Sequence, residues 1–260
     1  RTAATAAALM IGLGLVVFVA VFAQGLKASF IDTIDKAVAA DVVAIDEASF
    51  QALPRAGVEA MRAVPGVQTV TGAAYADARV GKGGTTSLIG IDEDAWTQVW
   101  RLDWQGGADD AVLAKLADDG AVVEEQVAGL KGLRVGDTVK VTVSSGRKTE
   151  VTVLGIYRDP MLFDGMIVSD DLFAALGLPA DTRVTMVKAA PGTDPDEVRA
   201  ALEKALADFP MQEVYTQQGY KDRVSSQIDT VLTMLYALLA MSVTISVFGI
   251  VNTLVLSVYE

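Results

Sequence analysis

The chain has 260 residues, with 21 Lys and Arg against 33 Asp and Glu, a net charge of −12 and a mean hydropathy of +0.38. So acidic a balance excludes a nucleic-acid surface, because phosphate binding needs the opposite sign. Without Cys or His there is no disulfide, thiolate nucleophile, Cys/His zinc site or histidine acid-base chemistry.

Acidity combined with positive hydropathy requires the apolar residues to be gathered into blocks. Two such blocks exist: Thr2 to Leu26 and Thr230 to Tyr259 carry no charged side chain, and every charge other than Arg1 and Glu260 lies between Lys27 and Asp229. As helices these runs reach about 37 and 45 Å, more than the roughly 30 Å of a hydrocarbon core. Transmembrane helices are therefore expected over residues 1–26 and 230–259. A signal peptide is the rival reading of the first run, with Val21-Phe22-Ala23 as a cleavage-like site, but the run is long for one and has a partner at the far end. Ala4, Ala8 and Gly12 form a ladder of small residues that admits a neighbouring helix closely, and Gly249 and Asn252 are the packing candidates in the second run. Neither run contains an ionisable group, which argues against a proton relay or ion pathway.

Beyond each run an apolar repeat continues. Leu26, Phe30, Ile34 and Val38 recur every four residues, and Val224, Ile228, Val231 and Leu235 step by four, three and four. They predict stalks over residues 27–39 and 219–229, with Phe30, Ile34, Val38, Val224, Ile228 and Val231 as the coupling positions.

Between the stalks the pattern predicts a water-soluble domain. Ala40 to Asp46 reads as a strand, Val58 to Val64 as a helix closed by Pro65-Gly66, and Val67 to Tyr75 as a strand. The order returns later: Arg183 to Ala190 as a strand, then a helix capped at Asp194-Pro-Asp-Glu197 with Val198, Leu202, Ala205, Leu206 and Phe209 on one face, then Met211 to Thr216 as a strand. Two such β-α-β units predict an α+β fold, a split ferredoxin-like lobe over residues 40–80 and 181–218, with residues 81–180 inserted as a β-rich lobe. Within the insertion Val139, Val141 and Val143 alternate with polar residues, Ser144 to Arg147 turns, and Val151 and Val153 resume the alternation, which is a hairpin with one buried face. Helical patches are expected at 94–102, 111–117 and 170–176.

Chemistry is sparse. Gly81-Lys-Gly-Gly-Thr-Thr86 fails the Walker A order and reads as a turn. Asp92-Glu93-Asp94 lacks the alternating ligands and glycine of a calcium loop and reads as a solvated helix start. The adjacent acids Asp109-Asp110, Asp118-Asp119 and Glu124-Glu125 point different ways. No catalytic, cofactor-binding or metal-binding residue is expected. Met161, Leu162 and Phe163, set between turn signals, either form a partner-contact tip or tuck into the domain.

Four stretches in this order resemble the FtsX/MacB-type permeases of ABC transporters: Arg1-Thr-Ala with Ala8-Leu-Met-Ile-Gly12, Leu130 to Val139, Thr152 to Asp159, and Phe248 to Leu254. The resemblance implies an extracytoplasmic domain over residues 27–229 between two membrane helices of a multi-pass protein, a separate cytoplasmic ABC ATPase as partner, and a second permease copy or half. It further implies that ATP-driven closure works the outer domain through the stalks, in mechanotransmission or in export of lipid, lipoprotein, peptide or drug. The ATPase would be met through parts beyond Glu260, so the chain reads as a fragment of a longer, non-catalytic permease subunit. The runner-up is a transmembrane receptor with a ligand-sensing domain, and a membrane-anchored enzyme stands third.

Overall fold

The computed structural model describes the backbone of residues 2–46, 51–81, 83–159 and 163–259. It divides into two compact units, residues 1–34 with 219–260, and residues 35–218.

The first unit is a pair of helices. Helix α1 runs unbroken over Thr2–Ala37 and its partner at the far end, α8, over Gln217–Tyr259. At 1.5 Å per residue they measure about 54 and 64 Å. By length and composition, two stretches are suited to crossing a membrane: Gly14–Ala37, with a mean hydropathy of 1.9, and Gln217–Gly249, with 2.1. Their large apolar side chains, such as Phe18, Phe22, Met241 and Phe248, are exposed. In water that exposure would be costly, whereas lipid tails cover it at no cost. Where the helices turn polar, the Lys27 ammonium donates to the Asp229 carboxylate at 2.8 Å.

In the second unit the chain order is β1 (Val42–Ile45), α2 (Arg55–Arg62), β2 (Val67–Val80), β3 (Thr85–Ile91), α3 (Glu93–Trp96), β4 (Asp103–Gln105), a 3-10 turn over Asp110–Lys115, α4 (Leu116–Asp119) and β5 (Gly120–Glu124). It continues through α5 (Glu125–Lys131), β6 (Thr138–Val143), β7 (Lys148–Arg158), β8 (Gly165–Ser169), α6 (Asp170–Ala175), β9 (Thr182–Ala189), α7 (Pro195–Ala205) and β10 (Glu213–Thr216). All ten strands form one sheet in the order β10-β1-β9-β2-β3-β8-β5-β7-β4, with β6 pairing β2 and β7.

The segment β10-β1-β9-β2 is antiparallel throughout, with α2 and α7 as the two crossovers, which is the expected split ferredoxin-like arrangement. Its core gathers Val42, Ala44, Leu53, Val58, Met61, Val187, Val198, Leu202 and Val214. Helix α7 forms because Pro195 opens it, the Asp194 carboxylate accepts from the Asp196 N–H at 2.9 Å, and Val198 and Leu202 recur on one buried face. Burying each such side chain contributes about 1.5–3 kcal/mol.

A second core lies within residues 74–176, where β2 leaves β9 at Ala74 and continues along β3 and β6. The β6–β7 hairpin has the expected alternation, and Gly146 turns it at a φ of +83°. Strands β3, β8 and β5 lie centrally, and β5 and β8 are buried along their whole length. Gly165 is required where β8 meets β3, since a Cβ there would come within 2.3 Å of the Ser87 carbonyl oxygen.

Three expectations shift. The helical patch over 94–102 shrinks to the single turn of α3, because the chain after it is drawn into backbone bonds with residues 37–40. The stalk repeats also hold only in part. On α1 Leu26 is 41% exposed, while Phe30 is half-buried and Ile34 fully buried. On α8, Val231 is 58% exposed, while Val224, Ile228 and Leu232 are half-buried. Finally, Phe163 is fully buried rather than part of an exposed tip, being drawn into an aromatic cluster. Met161 and Leu162 lie outside the described residues.

Candidate functional site

Helix α1 ends where the domain begins, and the residues around Val38 to Asp41 collect an unusual density of bonds. Asp41 stands at a bend one residue before β1, and its side chain is held beside β9. Its carboxylate accepts from the Lys188 ammonium at 3.1 Å and from the Ala189 N–H at 2.9 Å. The same ammonium donates to the Ala39 carbonyl at 2.8 Å. Gln217, the first residue of α8, donates its backbone N–H to the Asp41 carbonyl at 3.0 Å and its side-chain Nε2 to the Val38 carbonyl at 2.8 Å. The residues that follow α1 and the first residue of α8 are thus fastened at one place, beside β10, β1 and β9.

A second set of bonds joins the same place to the segment between α3 and β4. The Val99 carbonyl accepts from the N–H groups of Ala39 and Ala40, both at 2.9 Å, and the Arg101 N–H donates to the Ala37 carbonyl at 2.8 Å. Val38 and Trp100 form an isolated antiparallel bridge. Trp100 is 2% exposed, and its Nε1–H donates to the Asp159 carboxylate at 3.2 Å. Its ring packs edge-on to Phe163 at 4.8 Å, as does Trp96 at 4.9 Å. The Tyr157 hydroxyl donates to the Phe163 carbonyl at 2.7 Å, and the Arg183 guanidinium lies 4.9 Å from the Tyr75 ring centre. Burial pushes both phenols, Tyr75 and Tyr157, well above the ordinary range, with the Asp159 charge adding to it. They remain neutral hydrogen-bonding groups at any physiological pH.

Of the expected positions, Val38 belongs to this junction. Phe30 is half-buried and Ile34 fully buried on α1, and Val224 and Ile228 are half-buried on α8. Ala4, Ala8, Gly12 and Asn252 lie on the two helices, but their side chains are outside those described; Gly249 is exposed with open space around it. Asp41, Lys188, Gln217 and Trp100 were not foreseen, because they are single residues from four distant segments with no shared motif. Asp92 caps α3 through the Ala95 N–H, and Glu124 caps α5 through the N–H groups of Gln126 and Val127. Among the described residues no group of three or more acids is gathered so as to hold a metal ion.

A split ferredoxin-like segment with a β-rich layer inserted into it, carried between two long apolar helices, defines a class of membrane-linked α+β domain. The profile of the MacB-like periplasmic core domain matches residues 2–205. The chain belongs to this family, whose members form the extracytoplasmic part of ABC-type transporter permeases. Similar solved structures include the extracellular domain of the noncanonic ABC-type transporter YknZ from Gram-positive bacteria, at 15% identity and a TM-score of 0.47, covering 68% of this chain and 99% of that one. The periplasmic region of MacB from Actinobacillus actinomycetemcomitans is similar at 14% identity and a TM-score of 0.49, covering 72% of this chain and 94% of that one. No curated protein matches the chain.

Proposed function

We propose that this chain is the outer part of a multi-pass, non-catalytic permease subunit, whose two long helices cross the cell membrane and carry movement from a separate cytoplasmic ABC ATPase to residues 35–218. The movement serves either mechanotransmission or the export of a lipid, lipoprotein, peptide or drug. Family membership favours a permease over the receptor reading. The observation that carries the lever is the junction, where Gln217 of α8 bonds to Val38 and Asp41 just beyond the end of α1. A helix joined to a domain by one flexible linker transmits little, whereas two helices fastened to each other and to a sheet edge move that edge with them. Coupling of this kind requires an element with defined arrangements that both sites bias.

The test uses the permease assembled with its ATPase in lipid nanodiscs. Trapping with ATP and vanadate is expected to change amide exchange in residues 37–41 and 99–101. Glycine triplets inserted after Ala28 and after Asp222 are expected to abolish that change while ATP hydrolysis continues. An undiminished response in the inserted variant ends the lever reading.

A further inference from the structure

The second core is attached to the rest of the domain by more than its chain connections. Its two covalent links are β2, which changes partner from β9 to β3 at Ala74 with a bulge between Ala73 and Ala74, and residues 177–181 between α6 and β9. A bulge and a short loop are where a sheet bends most readily. The third attachment is not covalent. Residues 99–101 bond directly to Ala37, the last residue of α1, and to Ala39 and Ala40, and Trp100 reaches from there to Asp159 and Phe163, which adjoin β7 and β8 of the second core.

We propose that Trp100 is a strut through which movement at the end of α1 reaches the second core, by a route separate from the Asp41–Lys188–Gln217 fastening that serves the first. This rests on the lever reading above and assigns its output to residues 81–180. At one end the strut is held by backbone pairing with Val38. At the other its indole donates to Asp159 at the end of β7, and its ring packs against Phe163, which leads into β8. Two strands of the second core are thus gripped by one rigid side chain with few rotatable bonds. The grip is specific as well as apolar. Asp159 is 7% exposed and Trp100 2%, so the hydrogen bond is shielded from water, where a bond to a charged acceptor counts for more than at the surface. Aromatic pairs at this edge-on spacing add directional preference to the burial.

The experiment exploits the absence of cysteine from the chain. In the full chain in lipid nanodiscs, spin labels are placed at Lys36→Cys with Lys148→Cys, and separately at Lys36→Cys with Lys204→Cys. Lys148 opens β7 of the inserted segment, Lys204 lies on α7 over the first core, and all three positions are exposed. The parent chain is expected to give one narrow distance peak for each pair. Trp100→Ala is expected to lose the narrow 36–148 peak and keep the 36–204 peak. Trp100→Phe keeps a ring against Phe163 but not the N–H, and is expected to broaden the 36–148 peak in part, with cooperative unfolding preserved. A 36–148 peak as narrow as the parent's in both variants overturns the strut. So does equal broadening of both pairs in Trp100→Phe, which would mark general loosening. Because these distances are read without an ATPase, a failed lever test with an intact Trp100 effect would reject the driven movement and leave the strut standing.

Discussion

The two cores of the 35–218 unit share one sheet yet are assembled differently. In the first, the longer helices α2 and α7 cover one side of four antiparallel strands, of which β1 is buried along its whole length. In the second, β3, β8 and β5 lie in mid-sheet under short helical turns, and two of the three are buried end to end. Layering of helix on sheet makes the first core a self-sufficient platform for the junction with α1 and α8. The second core, by contrast, depends on its neighbours for position, and Trp100 supplies a fixed point that its covalent links do not.

The comparison is broken most sharply at Trp100. Trp100→Ala is expected to destabilise the unit by about 3–5 kcal/mol, the range for removing a large aromatic from a packed core. Denaturant titration followed by circular dichroism measures it, and a loss near zero would mean the joint is not packed as described. Leu202→Ala in the first core and Leu88→Ala in the second each remove a fully buried branched side chain and are expected to cost about 2–5 kcal/mol. Because β2 runs through both cores, the two substitutions are expected to lower one common unfolding transition. Two separable transitions, each sensitive to one substitution, would show that the shared sheet does not couple them. Asp194→Ala removes the cap of α7 and is expected to cost about 1 kcal/mol, seen as a small drop in Tm.

The smallest expected effect is one of pH. Asp170 is pushed up to about 6, first by partial burial and then by the charges of Asp92, Glu93 and Asp171, with Arg62 pulling the other way. Glu93 is raised as well, again chiefly by burial. A carboxyl whose proton is held more tightly in the folded state than at its ordinary 3.8 makes the fold gain stability as pH falls from about 7 toward 4. Thermal unfolding at pH 7 and pH 5 is expected to show a higher Tm at pH 5, relative to Asp170→Asn, in which the difference shrinks. An equal pH response in the variant would assign the effect to other acids.

Legibility in the sequence followed the same division. The helices of the first core and the β6–β7 hairpin could be read because each has one buried face and therefore a period of 3.6 or 2, while β1, buried along its whole length, could be read only as a short apolar run. Strands β5 and β8 show no alternation because both of their faces are covered, and a short continuous apolar run is ambiguous. β3 carries Gly90 under Phe173, a close approach that no local pattern announces. The long helices were visible from charge alone. The junction was not, since Asp41, Lys188, Gln217 and Trp100 become neighbours only when strand order is known. Phe163 sits among turn residues, and only the fold shows that Trp96 and Trp100 enclose it.

The most direct test of the account is which side of the membrane the domain occupies. Since the chain has no cysteine, Lys148→Cys gives a single thiol on an exposed residue. In intact cells expressing the chain, a membrane-impermeant maleimide is expected to label this thiol without lysis, as an extracytoplasmic domain between two spanning helices requires. Labelling only after the cells are broken would place residues 35–218 inside and contradict the account.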